Sequence, residues 1–129
     1  LARYRVADLF LDTHPYNAGT TASDALRMGL PVLTYLGSSA VSRHAASILN
    51  ALNLPELITT TLEDYESLAI ELATDPEKLK IIKDKLVGNL STAPLYDTSL
   101  FARNLESAYS MMYDRYQRGL DPDHIYVKH

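Results

Sequence analysis

Apolar residues fall along this chain first in short unbroken runs and then in helical stripes, and that change of period separates the elements it predicts. Val6-Ala-Asp-Leu-Phe-Leu-Asp12 and Val32-Leu-Thr34-Tyr35 are short runs bounded by loop residues, which suits buried strands. Between them Ala22 to Met28 reads as a short helix, closed by Gly29-Leu30-Pro31. Strand, glycine-containing turn, short helix and strand make half of a nucleotide-binding fold. In such a unit the loops leave the carboxyl ends of the strands, where open α/β sheets place their ligands.

Further along, Val41, Ala45, Ile48, Leu49 and Leu52 share one helix face, and Pro55 is expected to stop that helix. Leu57-Ile58-Thr59 reads as a third short strand. Thr61-Leu-Glu-Asp64 predicts a capped helix start with Leu62, Tyr65, Leu68, Ala69 and Leu72 as its apolar stripe. Asp75-Pro76 opens another helix, continued by Leu79, Ile82, Leu86 and Leu90. Asp97 or Thr98 caps a long last helix reaching about Arg118, with Gly119 to end it. Phe101, Leu105, Ala108, Met112 and Tyr116, joined by Tyr109 and Tyr113, form a stripe of the kind that packs in a core or an interface. The tail from Leu120 to His129 is polar and expected to be loosely held.

The stretch Asn17-Ala-Gly-Thr-Thr-Ala-Ser-Asp24 sits where the first strand hands over to the first helix, and it carries the candidate chemistry. Gly19 has no side chain to block a phosphate. Thr20 and Thr21 bring hydroxyls beside the unpaired N–H groups of a first helical turn, which favours an anion by roughly 0.3–1 kcal/mol at exposed sites. Asp24 emerges on the same helix face one turn further in, as an acceptor suited to sugar hydroxyls. The competing reading is that Thr21-x-x-Asp24 is a capping box variant that merely starts a helix. The small-residue loop Leu36-Gly-Ser-Ser-Ala40 leaves the second strand on the same side, so both loops are expected to face one crevice.

Composition removes several function classes. At 129 residues, 47% hydrophobic and 22% charged, the chain has the length and content of one soluble domain. A formal charge of -4 without a block of Lys and Arg argues against nucleic acid as a partner, and no apolar run has transmembrane length. With no cysteine, disulfides and thiolate metal sites drop out, which is compatible with a cytoplasmic address. The four histidines, His14, His44, His124 and His129, show no metal-binding spacing, so no metal is assigned and His14 and His44 are read as structural. Arg43, in the first turn of its helix, calls for an acidic neighbour or an anionic ligand. Lys78, Lys80, Lys83 and Lys85, interleaved with Glu77 and Asp84, read as a solvated helix face.

Ala7-Asp-Leu-Phe-Leu-Asp-Thr13, Pro15-Tyr-Asn-Ala-Gly-Thr-Thr-Ala-Ser-Asp-Ala-Leu26 and Gly29-Leu-Pro-Val-Leu-Thr34 together resemble the carboxyl-terminal catalytic half of the O-linked N-acetylglucosamine transferases. This family includes bacterial tetratricopeptide-repeat transferases and plant SPINDLY-type fucosyltransferases. Ser42-Arg43, Ala45-Ala-Ser47, Leu54-Pro-Glu-Leu-Ile58, Ala93-Pro-Leu-Tyr-Asp-Thr98 and Pro122-Asp-His-Ile125 extend the resemblance along the whole chain. It implies an α/β fold, a partial Rossmann-like domain from the carboxyl-terminal half of a two-domain (GT-B) glycosyltransferase, with residues 1–60 around the nucleotide site, 61–118 helical and 119–129 a tail. It also implies transfer of N-acetylglucosamine from UDP-N-acetylglucosamine to protein serine or threonine, with inversion and no metal.

On that resemblance Thr20 and Thr21 hold the pyrophosphate and Asp24 the ribose, with Gly19 and Asn17 in the same turn. Arg3 lies where the base pocket is expected. The general base, the acceptor groove, and the family's diphosphate lysine and upstream histidines have no counterpart here. The chain opens on Leu1, so it is read as a segment that lacks the other catalytic half and tetratricopeptide repeats, inactive alone and prone to self-association. Two alternatives stay open: a GDP-fucose enzyme of the same architecture, and a non-catalytic interaction module with a decayed nucleotide site. The second is kept alive by departures such as Arg27-Met28, where the family more often has tryptophan-alanine.

Overall fold

In order along the chain, β1 (Phe10–Leu11), α1 (Thr20–Arg27), β2 (Val32–Tyr35), α2 (His44–Ala51), β3 (Ile58–Thr59), α3 (Leu62–Thr74), α4 (Pro76–Leu90) and α5 (Thr98–Gln117) make up a computed structural model that describes residues 1–127. The strands form one parallel sheet in the order β1-β2-β3. Phe10 pairs with Val32 and Leu11 with Leu33, then Thr34 pairs with Ile58 and Tyr35 with Thr59. A parallel pair needs a crossover between its strands, and α1 and α2 supply them. The chain divides into two compact units, Leu1–Ala93 and the residues from Pro94 on.

The central strand β2 is buried along Val32, Leu33 and Thr34. Ala22, Ala25 and Leu26 of α1, with Ala45, Leu49 and Leu52 from α2 and its end, are fully buried too. Small residues on these helices let the backbones come close to the sheet, and the leucines fill what remains. From α3 and α4 the core takes Leu72, Ile82 and Leu86, whereas Leu62, expected in the α3 stripe, is 56% exposed.

Helix ends follow local chemistry. Gly29 at φ 80 and Asn53 at φ 55 take left-handed conformations just past α1 and α2. Each helix closes with a pair of bonds, Leu30 N–H to Ala25 O and Gly29 N–H to Leu26 O in α1, Leu54 N–H to Leu49 O and Asn53 N–H to Asn50 O in α2. Asn53, not Pro55, therefore ends α2. Residues expected at the start of that helix, from Val41, lie instead in a 3-10 turn over Ala40–Ser42, and α2 begins at His44.

The first strand is shorter than its apolar run. Ala2–Val6 forms a 3-10 turn, and Asp8 is exposed and pairs with Lys83 at 2.8 Å, so the run cannot stay extended and buried before Leu9. The α4 lysines all meet carboxylates: Lys78 with Glu71, Lys80 with Asp84, Lys83 with Asp8 and Lys85 with Glu56. That is the solvated face expected, although most of the partners come from other elements than α4.

In the second unit Asp97 caps α5 by accepting from the Leu100 N–H at 2.8 Å. Gly119, at φ 62, ends it. Phe101, Tyr109, Met112, Tyr113 and Tyr116 of the expected stripe are all exposed, and α5 has no buried residue. The tail is partly fastened, since Arg115 donates to the Asp121 carbonyl and pairs with Asp123. His129 lies outside the described residues. Among the described residues no helix is long and apolar enough to cross a membrane.

Candidate nucleotide-sugar site

The site is built from the end of β1 outward. Asp12, the residue after β1, is only 6% exposed, and its carboxylate is fully engaged. Oδ1 accepts from the Thr13 N–H at 2.9 Å and the Ala18 N–H at 2.7 Å, while Oδ2 accepts from the Thr34 hydroxyl at 2.6 Å. One side chain thus ties both ends of the loop from Thr13 to Ala18 to each other and to β2. Hydrogen bonds to a charged acceptor are the stronger kind, which suits a loop that must hold its shape.

Further bonds close the loop. The Thr13 hydroxyl donates to the Tyr16 carbonyl at 2.6 Å. Asn17 lies turned inward at 1% exposure, its Nδ2 donating to the Thr13 carbonyl at 2.9 Å and its N–H to the Val41 carbonyl at 3.0 Å. Its Oδ1 is a buried acceptor without a partner. Expected as a ligand contact, Asn17 is almost fully buried, and its side-chain amide bonds the loop's own Thr13 carbonyl.

α1 starts at Thr20, with Thr21 one residue inside, and Gly19 is its N-cap. The first bond of the helix runs from the Ser23 N–H to the Gly19 carbonyl, so the amides of Thr20, Thr21 and Ala22 point out of the helix end. No side chain caps this end. The capping-box reading of Thr21 and Asp24 therefore fails, since Thr21 is inside the helix rather than at its cap. Thr20 and Thr21 are exposed, and Asp24 is half-buried one turn further in.

The ends of α3, α4 and α5 show the contrast. Thr61, Asp75 and Asp97 each accept a hydrogen bond from an amide of the helix they cap. Only α1 and α2, the two helices following β1 and β2, lack a side-chain cap among these five. Arg43, the N-cap of α2, has its guanidinium on the Gly37 carbonyl at 3.1 Å, which answers the charge question by a backbone acceptor rather than a carboxylate.

The first loop lies against the end of β2 and the turn that follows it. Besides the Asn17 to Val41 bond, His14 packs edge-on to Tyr35 with ring centroids 4.4 Å apart. Gly37 has no room for a side chain, since a Cβ there would stand 2.3 Å from Ser42 Oγ. Arg3 lies in the exposed turn at Ala2–Val6, its guanidinium 5.8 Å from the Tyr4 ring centre. None of the contacts described brings it to the threonine turn.

Tyr65 of α3 donates its hydroxyl to the Asp12 carbonyl at 2.8 Å. Burial first, then the Asp12 charge, hold its titration above the usual value of 10.0. A raised pKa means a contribution fully present below the unfolded value and lost as pH rises through the folded one. Tyr65→Phe is therefore expected to cost about 1 kcal/mol near neutrality. Urea unfolding of both proteins across the alkaline range checks this, and the gap between them should close at the highest pH.

Sequence reasoning missed Asp12. An ionisable residue ending an apolar run must be hydrogen-bonded if it is buried, and that signal was available. It also set aside His44, whose position beside Gly19 no spacing rule predicts.

A parallel sheet whose strands end at two uncapped helix N-termini has the form of a phosphate-binding α/β protein. Residues 1–105 match the model of glycosyl transferase family 41, and the chain belongs to that family. A probable UDP-N-acetylglucosamine–peptide N-acetylglucosaminyltransferase SPINDLY of Hordeum vulgare is 37% identical over 92% of this chain and 13% of its own length. The UDP-N-acetylglucosamine–peptide N-acetylglucosaminyltransferase of Caenorhabditis elegans is 36% identical over 95% of this chain and 11% of its own.

In solved structures, a mutant of the Thermobaculum terrenum O-GlcNAc transferase superposes with a TM-score of 0.78 at 36% identity, covering 87% of this chain and 22% of that one. The chain thus spans a small part of the proteins it matches. Its fold is that of a piece of such a transferase, an incomplete α/β domain followed by a long helix, as the resemblance implied.

Proposed function

We propose that this chain forms the nucleotide-binding wall of a protein O-glycosyltransferase that moves N-acetylglucosamine from UDP-N-acetylglucosamine to serine or threonine hydroxyls. The observation that carries the reading is the uncapped α1 N-terminus, with Gly19 as its cap residue and Thr20 and Thr21 exposed on it. Membership of family 41 and the printed activity of the Caenorhabditis elegans relative support the chemistry. The rest of the catalytic machinery, with the general base and acceptor groove, belongs in this reading to the complete protein, along with tetratricopeptide repeats and a cytoplasmic setting.

The contribution of these residues is to the leaving group. As the sugar departs, negative charge grows on the diphosphate, and donors already aimed at it stabilise that charge without reorganising; losing one such donor costs on the order of 10²-fold in rate. The Thr20 and Thr21 amides and hydroxyls are those donors. Asp24, one turn in, accepts from the ribose hydroxyls. Amides and hydroxyls suffice for this work, and the proposal assigns no metal. Asn17 contributes by holding the loop, and Arg3 is kept as a residue of the base-proximal rim.

The test is calorimetric titration of the full-length protein with UDP and with GDP. UDP is expected to bind and GDP to bind more weakly. Asp24→Ala should weaken UDP by about 1–3 kcal/mol. A preference for GDP would move the protein to the fucosyl-type donors, and binding of neither would leave an interaction module. Unchanged UDP affinity in a folded Asp24→Ala protein would remove the ribose role.

A further inference from the structure

Gly19, the cap residue of α1, has a histidine from another helix beside it. A Cβ built on Gly19 would stand 3.8 Å from His44 Nδ1, which is ordinary contact. His44 is the first residue of α2, it is exposed, and no side chain caps the helix it begins. The loop ahead of α1 is bonded to the turn ahead of α2 through Asn17 N–H and Val41 O at 3.0 Å. Two uncapped helix ends therefore lie together, with an imidazole at the join.

We propose that His44 is a ligand of the donor's diphosphate, donating from its ring to a phosphoryl oxygen beside Gly19. The inference rests on reading the α1 end as a diphosphate site. An imidazole carries an N–H whether neutral or charged, so it can donate without any change of protonation. A Cβ at residue 19 would be in ordinary contact with the ring, and glycine leaves that room open. A histidine serving only to fill that room would be covered, whereas this one is exposed with a ring nitrogen turned toward Gly19.

Two donor sets on two helices fit two phosphates better than one. Thr20 and Thr21 take one phosphoryl group from α1, and His44 takes the other from α2. His44 is thus a specificity-determining residue: it favours a nucleoside diphosphate over the monophosphate.

The experiment titrates full-length wild type, His44→Gln and His44→Leu with UDP and with UMP, and follows the His44 ring signals by NMR as each is added. Loss of a hydrogen bond to a charged acceptor predicts about tenfold weaker UDP binding for His44→Leu, with UMP unchanged. His44→Gln, which keeps a donor, should fall between. The wild-type ring signals should move with UDP and stay with UMP. An unchanged ratio of UDP to UMP affinity in His44→Leu, with Thr20→Val still weakening UDP, overturns the role of His44 alone. Wild type that binds no UDP overturns the diphosphate site and this inference with it. Should His44→Leu not fold, His44→Gln and the ring signals of the wild type decide.

Discussion

Asp12→Ala is expected to destabilise the first unit by about 2–6 kcal/mol, although Asp12 is a buried residue to which no ligand contact is assigned. Its carboxylate is the acceptor for the Ala18 N–H and for the Thr34 hydroxyl, and Thr34 is fully buried. Alanine would leave those donors without partners, each costing about 1–3 kcal/mol, while the exposed Thr13 can turn its amide to water. Against a typical domain stability of about 5–15 kcal/mol that is a large fraction. Nucleotide affinity should fall as well, because the loop that Asp12 closes runs directly into Gly19.

Two further variants separate the causes. Asp12→Asn keeps an oxygen for the Thr13 and Ala18 amides and offers its amide to the Thr34 oxygen, so it should cost much less. Adding Thr34→Val to Asp12→Ala removes the stranded hydroxyl and should recover part of the loss, since deleting both partners of a buried hydrogen bond costs less than deleting one. Urea unfolding of the four proteins measures this. An Asp12→Ala protein as stable as wild type would sink the idea that this carboxylate holds the loop.

What the sequence revealed of the fold was mostly what is local. Val32 to Tyr35 was legible as a strand because an unbroken apolar run between Pro31 and Gly37 can be buried on both faces. Thr61 and Asp75 were legible as caps because each bonds an amide three residues on, and Gly29 and Gly119 because only a left-handed residue closes those helix ends. The first strand was over-extended, since a run containing Asp8 looks apolar on average but must lift that carboxylate to Lys83.

Long-range partnerships were not legible. Asp12 meets Thr34 and Tyr65 through the folding of β2 and α3 against β1, and Asn17 is buried only because the Val41 turn comes down on it. Nothing in the spacing of Gly19 and His44 announces that they adjoin. The candidate site was therefore readable in the threonine turn, which is one continuous segment, and unreadable in the residues that hold or complete it.

This chain alone is expected to transfer no sugar. It spans 22% of the Thermobaculum terrenum enzyme it superposes on, and in the proposed reading the described residues supply only one wall of a crevice of the kind that lies between domains. β1 is an edge of the sheet, and near it Leu11 is 54% and Val6 87% exposed. The tyrosines and methionines of α5 are uncovered as well. Unpaired strand edges and exposed apolar stripes seek partners, so the isolated chain should fold and self-associate at micromolar concentration. Light scattering gives its mass, and an assay with labelled UDP-N-acetylglucosamine and an acceptor peptide, run beside the full-length protein, gives its turnover. In the proposed reading the donors at Thr20 and Thr21 hold a leaving group, and such donors cannot take the proton of an attacking hydroxyl, which needs a base near the sugar. Turnover by the chain alone would place that base among the described residues. It would move His44 or Asp24 from the ligand roles proposed for them, or give catalytic work to a residue assigned only a structural one. A strictly monomeric chain would withdraw the self-association and leave the missing base as the reason for its silence.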